Sequence, residues 1–173
     1  MGTLTVQTLQ APTSGANANK VIIPSGHTLD ASNGLTTPAG HVIQFLSMRT
    51  DNSRSTTSTS LVDTDMTLTI TPASTSSKIM VIANMYEVFK ANVNTSPQFA
   101  INRGGTIIGD HQGSTQAYTA AGEYENIHIV YVDEPSTTSA TVYKIQYKSS
   151  NGNTVAINGD NTQNHFILME IAG

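Results

Sequence analysis

Of 173 residues only 12% are charged, with eight Lys and Arg against twelve Asp and Glu, giving a net charge of −4. An ordinary domain is about 25% charged; here hydroxyls and amides replace charge, Ser and Thr making up about a quarter of the chain and Asn about a twelfth. This balance argues against a basic nucleic-acid-binding face, and the absence of cysteine excludes disulfides, thiolate zinc sites and a Cys nucleophile.

Length points to one domain with an appendage, or to two very small ones. Residues 1–40 carry only Lys20 and Asp30 as charges. Their apolar residues come in short runs, Leu4 and Val6, then Val21, Ile22 and Ile23, separated by Pro12–Gly15, Pro24–Gly26, Ser32–Gly34 and Pro38–Gly40 turn chemistry. Such runs cannot enclose a core. They predict an extended, β-rich arm over 1–39, ordered by packing back on its own domain or, as we expect, by other chains. Met1 to Thr8 has neither a basic nor an apolar signal-peptide region. The longest apolar stretch, 79–86, is interrupted by Asn84 and falls far short of a membrane span.

From residue 40 to 173 the pattern is strand after strand: 41–48, 66–70, 78–89, 98–103 and 106–108 around Gly104-Gly105, then 126–133, 140–148, 154–157 and 165–171. Residues 51–60 read as a Ser/Thr-rich loop. About eight to ten antiparallel strands with turn signals every 8–15 residues predict an all-β jelly-roll sandwich.

A sandwich strand in a monomer is normally wet on one side. Several strands here are apolar on both. The strand at 78–89 offers Ile79, Val81, Ala83 and Met85 on one face and Met80, Ile82, Asn84, Tyr86 and Val88 on the other. The last strand offers Ile167, Met169 and Ile171 against Phe166 and Leu168, and 126–132 offers Ile127, Ile129 and Tyr131 against His128, Val130 and Val132. A second apolar face calls for a partner subunit. The expected interface residues are Met80, Ile82, Tyr86, His128, Val130, Phe166 and Leu168.

The domain resembles a C1q/TNF-type jelly roll in its opening strand Gly40-His41-Val42-Ile43-Gln44, the Thr71-Pro72 turn before Ser76-Ser77-Lys78-Ile79-Met80-Val81, the Gln98–Arg103 strand and the ending His165–Ile171. With its Thr/Asn/Gly-rich arm, the whole chain is similar to short virion structural proteins of tailed bacteriophages, especially those infecting marine bacteria. The resemblance implies a homotrimer on a virion with the inner sheets around a threefold axis, and it implies no catalytic residues. Leu4, Val6, Val21, Ile22 and Ile23 would then dock the arm on other virion proteins, of capsid or tail. Fully extended, the arm reaches at most about 130 Å.

No motif predicts chemistry or a cofactor. Carboxylates pair at Asp63/Asp65, Glu123/Glu125 and Asp133/Glu134, but in hydrophilic surroundings unlike the apolar pocket a glycosidase acid needs. The five histidines lack zinc-binding spacing, and Asp110-His111 near Ser114 lacks a nucleophile elbow. Loops 92–96, 111–124 and 151–164 have the amide and hydroxyl composition of a glycan contact. The middle one, with Gln112, Gln116, Tyr118 and Tyr124, is the expected receptor-contact loop. Two readings follow: a trimeric, non-enzymatic decoration protein or short head fibre, or the tip of a tail fibre that grips a host surface glycan or protein.

Overall fold

The computed structural model describes residues 13–16, 25–26, 37–111, 120–157 and 162–173. The chain divides into two units, Met1–Thr36 and Thr37–Gly173. In the first, the described residues form turns at 13–16 and 25–26, with Gly15 and Gly26 at positive φ.

The second unit is an all-β jelly-roll sandwich of ten described strands: β1 (Val42–Thr50), β2 (Arg54–Thr56), β3 (Val62–Ile70), β4 (Lys78–Lys90), β5 (Pro97–Arg103), β6 (Thr106–His111), β7 (Glu123–Asp133), β8 (Thr141–Ser149), β9 (Val155–Ile157) and β10 (Asn164–Ile171). The first sheet runs β1-β10-β4-β9-β2, with β7 on the other edge of β4; the second runs β3-β8-β5-β6. Every pairing is antiparallel. Strand β2 lies inside the stretch read from sequence as loop; three residues are too few for a period to register, and it exists because β9 supplies its ladder.

Period-two alternation divides each strand between core and surface. The core holds Ile79, Val81, Ala83, Met85 and Val88 of β4, Ile129 of β7, and Phe166 and Leu168 of β10; from the second sheet come Met66, Ile70, Phe99, Ile101, Tyr143, Ile145 and Tyr147. Burying each such side chain contributes about 1.5–3 kcal/mol. Burial also pushes the Tyr147 phenol up to about 12. On β8, Lys144, Gln146 and Lys148 take the alternate, half-buried positions, as the alternation predicts.

Two local features set the register. Gly104 and Gly105, at φ 55° and 98°, form the two-residue β5–β6 turn, which needs positive φ at both positions. A bulge in β4 between Met85 and Val88, where Glu87 sits at φ 51°, shifts the register against β7. The bulge turns Val88 into the core at 0% exposure, correcting the expectation that it continues the face of Met80 and Ile82.

Three polar side chains tie the two sheets together. Asp133 accepts two hydrogen bonds from Arg103 Nη1, at 2.8 and 2.9 Å, and a third from the Tyr143 hydroxyl at 2.6 Å. This joins β7 of one sheet to β5 and β8 of the other. Burial, and then the Asp133 carboxylate, raise the Tyr143 phenol well above its ordinary range. At the far end of β4, Lys90 is fully buried with its Nζ 3.4 Å from the Glu123 carboxylate.

Candidate functional site

The first sheet turns a largely uncharged face away from the core, and strand register assembles it row by row. In one row Phe45 of β1 stands opposite Met169 of β10, Met169 opposite Met80 of β4, and Met80 opposite Val132 of β7. In the next, Ser47 faces Ile167, Ile167 faces Ile82, and Ile82 faces Val130. Phe45 is 57%, Val130 61% and Val132 47% exposed, and Met80, Ile82, Ile167 and Met169 are half-buried. At 4.8 Å between strands and about 6.8 Å between rows, this apolar strip covers on the order of 300 Å² in plan.

Charge closes the strip at both ends. Beyond Met80, Lys78 pairs with Glu134 at 2.9 Å, both exposed. Beyond Ile82, a third row carries Arg49, His165, Asn84 and His128 in register. His128 Nδ1 lies 2.9 Å from Asn84 Oδ1, and the Tyr86 ring meets the His128 ring edge-on at 6.0 Å. Further along, Phe89 stacks at a tilt on Tyr124, ring centres 4.8 Å apart, with Tyr124 55% exposed.

Of the expected interface residues, Met80, Ile82, Tyr86, His128 and Val130 fall outside the core. Phe166 and Leu168 do not: both are fully buried between the sheets. Their neighbours Ile167 and Met169 take the outward positions. Both faces of β10 are apolar in sequence, and only its pairing with β1 and β4 decides which one points inward. Phe45, Val132, Ile167 and Met169 complete the strip. Their signal in the sequence is alternation, but the alignment that brings them together is long-range.

Leu4, Val6, Val21, Ile22 and Ile23 lie outside the described residues, as do Gln112, Gln116 and Tyr118 of the expected receptor-contact loop. The other two loops named for glycan contact engage each other. Asn151 Nδ2 donates to Asn94 O, Asn153 Nδ2 to Thr95 Oγ1, and Ser96 N to Ser150 Oγ. Their amides hold the end of the sandwich together.

The Asp63/Asp65 carboxylate pair is likewise occupied. Lys144 Nζ and Gln146 Nε2 donate to Asp63 at 2.7 and 2.6 Å; Arg54 and Asn52 donate to Asp65. The Lys144 hydrogen bond holds Asp63, and the Arg54 hydrogen bond Asp65, below the usual carboxylate range, the opposite of what a general acid requires. Among the described residues there is no group of three or more His, Asp or Glu arranged to hold a metal ion, and no helix long and apolar enough to cross a membrane. Asp110 and His111 have side chains, and Ser114 its whole residue, outside the described set.

No protein-family model matches the sequence, and no curated protein does. Among solved structures, the chain is similar to infectious bursal disease virus VP2 in its subviral particle, at 14% identity and a TM-score of 0.36, over 94% of this chain and 45% of that one. It is also similar to dimeric latent PorU from Porphyromonas gingivalis, at 11% identity and a TM-score of 0.30, over 79% of this chain and 14% of PorU. The chain thus spans under half of each of these proteins, and neither likeness identifies a family for it.

Proposed function

We propose that this chain is a non-enzymatic structural protein of a bacteriophage particle, a homotrimer whose jelly roll projects outward while the N-terminal arm docks on the virion as capsid decoration or short head fibre. The observation that supports this reading is the apolar outer face of the β1-β10-β4-β7 sheet, centred on Ile82, Val130 and Ile167. A monomer gains nothing from presenting this strip to water. The strip itself carries no charge that would specify an oppositely charged partner, so a second and third copy of the same aliphatic and methionine surface fit it best. A standard interface buries about 800 Å² per partner; the strip supplies its apolar centre and the flanking polar rows its rim.

Size-exclusion chromatography with light scattering tests this directly. A species of about three times 18.3 kDa is expected, and a monomer at all concentrations overturns the reading. Removing residues 1–34 should leave a trimer that no longer incorporates into particles.

A second reading, a receptor-binding tail-fibre tip, draws on Tyr124, one of the expected contact residues, an exposed ring at the start of β7 packed on Phe89. Saturable binding of labelled protein to bacterial host cells would favour the tip, whereas no binding together with hundreds of copies per particle would favour decoration.

A further inference from the structure

The row that closes the apolar strip is a line of nitrogen-bearing side chains. Arg49, His165, Asn84 and His128 stand side by side on four adjacent strands, a span of about 14 Å, immediately next to the row of Ile167, Ile82 and Val130. Arg49 is exposed and forms no ion pair with a carboxylate among the described residues. His165 sits directly opposite it. His128 meets the Asn84 amide oxygen and the edge of Tyr86. The acids nearest in sequence are Asp51, just past the end of β1, and Glu87, at the β4 bulge; Glu125, further along β7, lies on its other face. Imidazole is the side chain that ordinarily gains its charge between about pH 8 and pH 5. We infer that assembly through this face is acid-labile, with His128 and His165 as the groups whose protonation opens it.

The inference rests on the trimer reading above. In a subunit by itself the His128 side chain is exposed and that of His165 half-buried. When copies pack on the strip, the same row is drawn toward the interface from each subunit. With neutral imidazoles it brings one formal charge per chain, that of Arg49. With both imidazoles protonated it brings three of the same sign, repeated by symmetry in every copy, and burying uncompensated like charge opposes association. The free subunit therefore binds more protons than the assembled one, and proton uptake drives dissociation.

Light scattering and far-ultraviolet circular dichroism on the full chain at pH 7.5, 6.0 and 5.0 test it. The expected result is a trimer at pH 7.5, a folded monomer at pH 5.0, and a dissociation constant raised at least about tenfold between them, one proton's linkage per pH unit. The H128Q/H165Q variant should remain trimeric at pH 5.0. A wild-type trimer that persists at pH 5.0, or a double variant that dissociates as the wild type does, overturns the inference and leaves the trimer standing. A monomer already present at pH 7.5 overturns both.

Discussion

Ile82 lies directly opposite Val130 across the β4–β7 ladder, and both side chains turn away from the core. Val130 is 61% exposed in the subunit, so an aspartate there stays hydrated as long as the subunit is alone. Val130→Asp should therefore leave the circular dichroism spectrum of the subunit unchanged. Assembly would bury the new charge at a cost of several kcal/mol, so the variant should run as a monomer in light scattering where the wild type is a trimer. A variant that assembles normally would show that this face stays wet.

Neighbouring residues on β10 should separate folding from assembly. Phe166→Ala removes a fully buried ring and should destabilise the fold by about 3–5 kcal/mol in urea unfolding. Met169→Ala, one face over and half-buried in the subunit, should cost much less in the same measurement while weakening self-association.

The Arg103–Asp133–Tyr143 cluster should behave as a clamp between the sheets. Tyr143→Phe removes one hydrogen bond while Asp133 keeps Arg103, for a loss of about 1.5–2 kcal/mol. Asp133→Ala strands both partners. Since Arg103 is part-exposed and can recover some water, a loss of about 2–3 kcal/mol is expected, below the full cost of breaking a buried pair. Denaturant unfolding of the two variants gives both values.

Acid should act on the fold through Asp63 and Asp65. Both carboxyls are held below their ordinary range, Asp63 first by the Lys144 hydrogen bond and Asp65 first by that of Arg54. A depressed folded-state value means that the unfolded chain binds the proton more tightly. Their contribution is complete above about pH 4–5, and it is lost as pH falls through the lower, folded values. Thermal melts of wild type and Asp65→Asn should differ near neutral pH and converge toward pH 2–3. This window lies below the one in which the histidine row acts, so unfolding and dissociation are separable by titration.

Alternation in the sequence determined that this is an all-β domain, where most strands run, that β8 is one-sided with Tyr143, Ile145 and Tyr147 inward, and that the first sheet carries surplus apolar surface. These are local properties, written in a period of two residues. Which apolar face of β10 points inward was not written there, because Phe166 and Leu168 on one side and Ile167 and Met169 on the other satisfy the same pattern. Long-range pairing with β1 and β4 chose between them. Val88 departs from simple alternation for a related reason: a single bulge residue, Glu87, inverts the alternation beyond it. The tertiary structure alone also aligned Phe45, Met169, Met80 and Val132 in one row and Arg49, His165, Asn84 and His128 in another. Register is a relation between strands far apart in the chain, and no single segment encodes it.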